Sequence, residues 1–173
     1  MISQELKSKY ESEIASIGKP YVVSFCSERD YIPMWRAYAQ GNVGVCLKFD
    51  LSEENINELR AVNADREIFT DYICFDECQY ADTSDIKTTL KTQIAEILKE
   101  YQSLPDGQLC QNYPFRNLYK QAILYKGREW SYEKEWRLIW WCNQNKTKSG
   151  KYGILSYQDI KVPLRFLKEI IIS

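Results

Sequence analysis

The segment YEKEWRLIWW, residues 132–141, constrains the fold more than any other part of the chain. Read as a β-strand, it places Glu133, Glu135 and Arg137 on one face, because strand side chains alternate with a period of two. The charged face continues into apolar residues, and the opposite face is apolar as well. A strand that is apolar on both sides usually lies inside a fold. The sequence therefore predicts an interior strand whose carboxylates are partly shielded from water.

The rest of the chain alternates irregularly between strand and helix patterns, with too few strand–helix–strand units for a doubly wound sheet. We expect an α+β fold in which a mixed or antiparallel sheet is packed against helices. The length of 173 residues fits a single domain, with a core over about 20–173 behind an N-terminal helix over 3–17. The predicted strands are 21–27, 43–49, 66–77, 132–141, 151–157 and 169–173, and the predicted helices are 3–17, 29–40, a helix opening at 50–54, 83–104 and 112–126.

Several local signals set the expected boundaries. Gly18 suits the end of the first helix, whose apolar stripe is Leu6, Tyr10, Ile14 and Ile17. Ser52 is the natural cap of the helix that follows the second strand, and Ile56 and Leu59 lie on its buried side. The polar run 143–150 is predicted to be a hairpin loop.

The chain contains no histidine. This excludes Ser–His–Asp and Cys–His catalysis, histidine metal sites and the usual proton shuttle of neutral pH. A general base in this chain is therefore expected to be a carboxylate.

The six cysteines form no Cys-x-x-Cys pair, and the N-terminus has no signal-peptide core. We expect them to be reduced, with Cys26 and Cys46 acting as small apolar residues within strands. Cys74 and Cys78 are close in sequence, but two thiolates do not complete a zinc site, so no metal is predicted.

No apolar run approaches the roughly 18 residues of a membrane helix. We expect a soluble cytoplasmic protein that does not contact the membrane.

The net charge of −1 conceals an asymmetry, because residues 1–49 carry +1, residues 50–110 carry −9 and residues 111–173 carry +7. The acidic middle argues against a chain that is coated for nucleic acid over its whole surface. The basic last third could face phosphates. For Lys146, Lys148 and Lys151 we favour the simpler interpretation of a solvated loop.

Two segments are candidates for chemistry. The row of Glu133, Glu135 and Arg137 is either catalytic or a solvent-facing stripe balanced by its own charge pair. Burial of that strand would favour the first alternative, since shielded carboxylates need partners or shifted pKa values. The other segment runs from Ser24 to Asp50. Ser24 lies in an apolar strand, where a serine often bonds only to backbone. Trp35 and Tyr38 are three residues apart on a helical turn, a spacing more often found in cores than in ligand sites.

The stretches SFCSERDYIPMWRAYAQGNVGVCLKFD and YEKEWRLI together resemble the bacterial domain-of-unknown-function family 2971. Its members carry a Ser-Phe-Ser run, a Met-Trp-x-x-Tyr turn, a Gly-Val-Cys strand and a late Glu-x-Glu-Trp-Arg. The resemblance extends over about residues 21–173. The order of these motifs is in turn similar to that of the ADP-ribosyltransferase-like fold, although Cys26 stands where a second hydroxyl would be expected.

This second resemblance implies an enzyme that uses NAD as a substrate, either an ADP-ribosyltransferase or an NAD glycohydrolase, such as a toxin or a phage-defence effector. Cleavage of NAD passes through an oxocarbenium-like state that carboxylates can stabilise without histidine. By resemblance, Glu135 would hold the ribose, Glu133 would activate an acceptor and Ser24 would orient the nicotinamide side. The implied NAD-binding residues are Trp35 or Tyr38, stacking on a base, with Arg36 and Arg137.

One departure from the family concerns the N-terminus. Members usually begin with a further strand containing Lys-Tyr-Arg and then a Phe-Asn-Asp-Pro segment, whereas this chain starts with Met1 and one amphipathic helix. The resemblance therefore implies that the basic residue for the dinucleotide phosphates is Arg29 or Arg36, or comes from a partner chain; the alternative is a shortened and inactive member of the family.

Two alternatives remain open from the sequence. The first is a non-catalytic module that binds protein or nucleic acid through the basic and aromatic last third, since cations and rings suit phosphates and bases. The second is membership of an oligomer or larger assembly, because the apolar stripe of the first helix and the apolar C-terminus need cover. The residues that suggest the binding module are Arg116, Lys120, Lys126 and Arg128 beside Tyr119, Tyr125 and Trp130.

Overall fold

The computed structural model describes residues 18–39, 43–63, 72–103, 114–142, 146–150 and 153–172, together with Gln4, Ser8, Glu11 and Ala15. Strands and helices alternate irregularly along these ranges. Two 3-10 turns, Arg128–Glu133 and Leu164–Phe166, precede strands. The elements are β1 (Lys19–Cys26), α1 (Ile32–Tyr38), β2 (Val45–Phe49), α2 (Glu53–Asn63), β3 (Tyr72–Glu77), β4 (Gln79–Ala81), α3 (Thr83–Ser103), α4 (Pro114–Leu124), β5 (Tyr125–Gly127), β6 (Glu135–Cys142), β7 (Lys146–Gly150), β8 (Gly153–Tyr157) and β9 (Leu167–Ile172).

The main sheet has three antiparallel strands in the order β1-β6-β3, so that β6 lies in the middle. Ser24 and Asp76 lie opposite Arg137 on either side of it. Two further antiparallel pairs, β2–β9 and β7–β8, and one short parallel pair, β4–β5, complete the described strands. The predicted α+β class with a mixed or antiparallel sheet is confirmed.

Both faces of β6 are covered, as its sequence predicts. Ile139 and Trp141 point to one side and have no exposed surface, while Leu138 and Trp140 point to the other and are also buried. On the first side, Tyr101 at the end of α3 packs against Phe115 of α4 with ring centres 5.3 Å apart. The carboxylates at the start of β6 are therefore shielded from solvent.

Helix α2 covers the opposite face of the sheet. Its apolar positions Ile56 and Leu59 are buried against Trp140 and Phe166. The Ser52 hydroxyl accepts a hydrogen bond from the backbone N–H of Asn55 at 3.4 Å, which satisfies one of the donors left free at a helix N-terminus. The predicted cap and the predicted buried side of this helix are both confirmed.

The structure corrects the sequence predictions at three places in the last third. The strand predicted from residue 132 begins only at Glu135, because the preceding residues form a 3-10 turn. The helix predicted to reach residue 126 ends at Leu124 and continues directly as β5. Within the predicted loop 143–150, Lys146–Gly150 pairs with β8 as a strand, so Lys146 and Lys148 are strand residues. Lys151 lies outside the described residues.

The N-terminal helix is described at four positions, Gln4, Ser8, Glu11 and Ala15, which are all helical and exposed. Its predicted apolar stripe lies outside the described residues, as do residues 66–71 of the third predicted strand. Gly18 has a φ of 79°, which an L-residue with a side chain adopts only with strain. None of the described helices carries an apolar stretch of the length that a membrane crossing requires.

Because Leu59 is fully buried, its truncation is expected to destabilise the packing of α2 on the sheet. Leu59→Ala should lower the free energy of unfolding by about 2–5 kcal/mol, because it removes buried methyl groups and leaves a cavity. Leu164→Ala is the matched control, since Leu164 is 82% exposed and its truncation should change stability by about 0.5 kcal/mol or less. Urea-induced unfolding measures both, and equal losses in the two variants would contradict the packing described for α2.

Candidate functional site

Two buried carboxylates share one lysine at the start of β6. Glu133 and Glu135 are each only 4% exposed. The Lys126 Nζ lies 2.7 Å from Glu135 Oε2 and also forms an ion pair with Glu133 Oε2. The Trp130 ring covers the lysine, with its centre 5.6 Å from Nζ. We call Lys126, Glu133, Glu135 and Arg137 the carboxylate cluster.

Glu135 is the most heavily bonded member of the carboxylate cluster. Arg137 donates to it twice, from Nε to Oε1 at 2.8 Å and from Nη2 to Oε2 at 3.1 Å. Burial alone would raise the pKa of Glu135, but hydrogen bonds from Arg137, Lys126 and Ser24 outweigh it and lower the pKa to about 2. Together these donors occupy the roughly four lone-pair positions of a carboxylate. Glu135 is thus a fixed anion.

Lys126 and Arg137 are held as cations by the same contacts. Burial opposes the charge of Lys126, but hydrogen bonds to Glu133 and Glu135 raise its pKa above the ordinary range. Arg137 also donates from Nη1 to the carbonyl oxygen of Ile123 in α4. Two cations and two anions therefore balance inside the carboxylate cluster.

The two carboxylates lie close together, but not because they are on the same face of one strand, as the sequence predicts. Glu133 ends the 3-10 turn, and Lys134 then takes a left-handed conformation with φ 45° and ψ 50° before β6 begins at Glu135. The alternation of a strand therefore does not relate the two glutamates. The Lys134 side chain is held outside by Glu28 at 2.7 Å, and its ammonium group lies over the Tyr31 ring.

The sequence around Glu133 and Glu135 does not reveal that Tyr80, Cys78 and Lys126 contact them. The Tyr80 hydroxyl accepts the backbone N–H of Glu135 at 2.7 Å, and the Glu135 carbonyl accepts the N–H of Cys78 at 2.9 Å. Lys126 reaches the cluster because β5 pairs with β4, which sets Tyr80 beside Lys126. Sequence reasoning placed Lys126 only in the alternative binding surface, since this parallel pairing joins segments that lie far apart in the chain.

Ser24 reaches the carboxylate cluster from β1. It faces Arg137 across the sheet, and its hydroxyl hydrogen-bonds to Glu135. Ser24 also lines a cavity of about 1140 Å3 that is open to solvent. Among the described residues, neither glutamate lines this cavity directly. Glu135 lies behind Ser24, and Glu133 lies behind Tyr38, whose hydroxyl is 3.5 Å from Glu133 Oε1.

Trp35 and Tyr38 of α1 line the cavity, so the structure brings the predicted stacking residues beside the carboxylate cluster. The Trp35 indole N–H donates to Asp30 Oδ1 at 2.7 Å. A Cβ at Gly44 would lie 2.9 Å from Cζ3 of the Trp35 ring. The glycine therefore allows the ring to pack directly on the backbone, and the indole orientation is fixed before any ligand binds.

The arginines predicted to bind phosphates do not present a free guanidinium to the cavity as Trp35 and Tyr38 present their rings. Arg29 lines the cavity, but its guanidinium forms an ion pair with Glu169 of β9. Arg36 is exposed on α1 and, in the part of the chain that the structure describes, does not line the cavity. Arg137 is committed to Glu135. Of the four residues predicted to bind NAD, Trp35 and Tyr38 are thus the ones that face the cavity.

The cations of the alternative binding surface are engaged in contacts within the chain. Lys120 pairs with Asp76 at 2.8 Å, and Arg128 lies 3.6 Å from Asp82. Arg116 lies over the Tyr72 ring at 4.6 Å, and Lys126 belongs to the carboxylate cluster. Binding of nucleic acid through these residues stays a prediction.

The cysteines within the described ranges are free thiols. Cys74 and Cys78 are buried, and burial raises their pKa values to about 12 and about 11 respectively. Cys26 and Cys46 are half-buried, and Cys110 lies outside the described residues. No group of three or more potential metal-binding side chains comes together in the described ranges.

The chain matches the model of a protein family. The family described as "Protein of unknown function (DUF2971)" matches residues 34–138, which is more than half of the chain. No curated protein matches the chain. No solved structure matches it.

Removal of the shared lysine tests the energetics of the carboxylate cluster. Lys126→Met should lower the free energy of unfolding at neutral pH by about 3–5 kcal/mol, because it leaves buried carboxylate charge without its partner. Lys99→Met is the control, since Lys99 is exposed on α3. Urea-induced unfolding compares the two, and a loss below 1 kcal/mol at Lys126 would contradict the described cluster.

The low pKa of Glu135 predicts a specific pH dependence. Its pKa is about 2 in the folded chain against an ordinary value of 4.5, so the unfolded chain takes up the proton first as the pH falls. The stabilisation by Glu135 is complete above pH 4.5 and is lost progressively as the pH falls toward 2. Glu135→Gln should flatten the pH dependence of the free energy of unfolding in this window, whereas Glu96→Gln on the exposed surface of α3 should not. Equal slopes in Glu135→Gln and the unsubstituted chain would contradict the assignment.

Proposed function

We propose that this chain, which belongs to the DUF2971 family, breaks the bond between nicotinamide and ribose in NAD and transfers the ADP-ribose unit to water or to another acceptor. One observation carries the proposal. Ser24, Trp35 and Tyr38 line one cavity, and the two buried glutamates lie directly behind it, Glu135 bonded to Ser24 and Glu133 in contact with Tyr38. Rings and a hydroxyl in the cavity wall, with buried anions directly behind them, suit a ligand with a planar base and a sugar that becomes cationic.

Carboxylates, which this chain has, are sufficient for the reaction. The C1′–N bond breaks and its electron pair leaves with nicotinamide, so that positive charge develops on the ribose. Water or an acceptor nucleophile then bonds to C1′ and loses a proton. Carboxylates held in a dry site stabilise the developing charge electrostatically. A carboxylate also takes the proton, which accords with a chain that has no histidine.

The contacts support a division of roles between the glutamates. Glu135 has its lone pairs occupied and a pKa of about 2, so it is a poor base at neutral pH. We assign it the role of a positioning residue that fixes Arg137 and Lys126. Glu133 contacts Lys126 and the cavity-lining Tyr38. We therefore assign to Glu133 the contact with the sugar and the activation of the acceptor.

Lys126 determines when Glu133 is available to the sugar of bound NAD. In the free chain the carboxylate cluster is neutral, which gives little stabilisation to a cationic sugar. Binding of NAD therefore requires Lys126 to release Glu133. A lysine is charged at neutral pH without this contact, so the ammonium group of Lys126 can turn to the pyrophosphate as the ribose takes its place.

A cytoplasmic location in a bacterium and a role in toxicity or phage defence complete the proposal. The non-catalytic binding module is the other candidate from the sequence. The contacts of Lys120, Lys126 and Arg128 with acidic side chains do not favour it over the enzyme.

Turnover of NAD labelled in the adenosine moiety tests the proposal, with nicotinamide release and label transfer measured separately. Glu133→Gln should reduce turnover by about 100-fold or more, the usual contribution of a positioned acid or base. Gly44→Ala should raise KM more than it lowers kcat, because its Cβ would displace the Trp35 ring.

Glu96→Gln, on the exposed surface of α3, is the matched control and should leave turnover unchanged. Circular dichroism and thermal unfolding confirm that each variant is folded. The proposal fails if the unsubstituted chain neither releases nicotinamide nor transfers label, or if a folded Glu133→Gln variant is as active as the unsubstituted chain.

A further inference from the structure

The strands β1 and β2 each present an unpaired edge to the same cavity. Within the described residues, β1 pairs with β6 alone and β2 pairs with β9 alone. Every residue from 23 to 31 and from 44 to 49 lines the cavity. Successive side chains of a strand point to opposite faces, so the part of the cavity that is lined by consecutive residues of both strands runs along their edges, while other parts reach Phe75 of β3 and Trp136 of β6. We call the part along the two strand edges the edge slot.

The backbone groups that face the edge slot can be identified on β1. The N–H of Ser27 donates to the carbonyl of Lys134 at 3.0 Å. In an antiparallel pair, bonded and non-bonded positions alternate, so the N–H and C=O groups of Val22, Ser24 and Cys26 point away from β6. Pro20 continues this series and lacks an N–H, which fits the unpaired edge of a strand. The edge slot thus contains a regular row of backbone donors and acceptors.

The side chains beside these edges are apolar and unusually exposed. Val22 and Val23 are 43% and 46% exposed on opposite faces of β1, and Val45 and Leu47 are 61% and 48% exposed on β2. Exposed apolar edge strands normally pair with other chains unless charge, proline or cover prevents it. Within the described residues, the outer edges of both strands therefore lack backbone partners, and the apolar side chains beside them lack cover.

The ends of the edge slot restrict what fits it. The Phe25 and Phe49 rings meet at 6.1 Å between centres, so β1 and β2 approach each other at this end. Lys48 is exposed on β2 and has no acidic partner within the described ranges, because Glu169 opposite it pairs with Arg29. A ligand for the edge slot should therefore be extended, apolar on alternate residues and acidic beside Lys48.

We propose that an extended segment of a partner protein inserts into the edge slot as a β-strand, pairing its backbone with β1 and β2. The repeating donors and acceptors of β1 match a polypeptide backbone, and added strands of this kind gain affinity from the main chain and specificity from side chains. An acidic residue of the segment pairs with Lys48. This inference does not depend on cleavage of NAD.

Amide hydrogen exchange and a peptide library test the proposal together. In the free chain, the amides of Val22, Ser24 and Cys26 should exchange quickly, whereas those of Val23 and Phe25, which bond to β6, should be protected. A phage-displayed library of random eight-residue peptides is then selected against the full chain. Selected peptides should alternate apolar residues, contain Asp or Glu, and slow exchange at the three outward amides by about tenfold or more.

Lys48→Glu is the specificity variant and should weaken the selected acidic peptides about tenfold. Lys99→Glu on α3 makes the same charge change away from the edge slot and should leave binding unchanged. The test has three results that overturn the proposal. In the first, the outward amides are already protected in the free chain at every protein concentration. In the second, their protection rises with protein concentration, which indicates that a second copy of the chain binds there. In the third, the selected peptides bind but leave these amides exchanging freely.

Discussion

The burial of two carboxylates at the start of the central strand constrains the surrounding structure. Each ionised group costs several kcal/mol to remove from water unless it is paired and hydrogen-bonded. Lys126 and Arg137 supply the opposite charge, and Tyr80 satisfies the backbone N–H of Glu135. These partners come from β4, β5 and β6. The short parallel pair β4–β5 is therefore needed to bring Lys126 and Tyr80 to the same point.

Local patterns in the sequence predicted the parts of this arrangement that depend on periodicity. The interior position of β6 follows from apolar residues on both of its faces, and the cap at Ser52 follows from the residue type alone. The relation of Glu133 to Glu135 was predicted wrongly as strand alternation, because Lys134 adopts a left-handed conformation. That conformation is typical of glycine or asparagine, and a lysine gives no sequence signal for it.

Long-range contacts set a second limit on prediction from the sequence. Ser24 could be placed on the same strand face as Cys26, but its position opposite Arg137 depends on the register of β1 against β6. Lys126 was recognisable only as one cation among many in the basic last third. Its role follows from tertiary pairing, which determines that it is mostly buried while Lys99 is exposed. Composition could restrict the chemistry to carboxylates, but it could not identify the cation that pairs with them.

The edge slot and the carboxylate cluster meet at Ser24. Its hydroxyl bonds to Glu135 on one side of the sheet, while its backbone N–H and C=O point to the unpaired edge. A strand added at that edge would fix the backbone of the residue that supports Glu135. Binding of a partner at the edge slot would therefore be physically connected to the order of the site through one strand.

The burial of Glu133 is not required by the packing of the central strand. Glu135 and Arg137 alone would satisfy the start of β6, since Arg137 binds both oxygens of the carboxylate. Glu133 is not part of the sheet, yet it is buried to the same extent and needs Lys126 to offset its charge. A fold gains no stability from burying this additional anion. Costly features of this kind concentrate at functional sites, which supports the role proposed for Glu133, and the Tyr38 hydroxyl joins this carboxylate to the cavity at 3.5 Å.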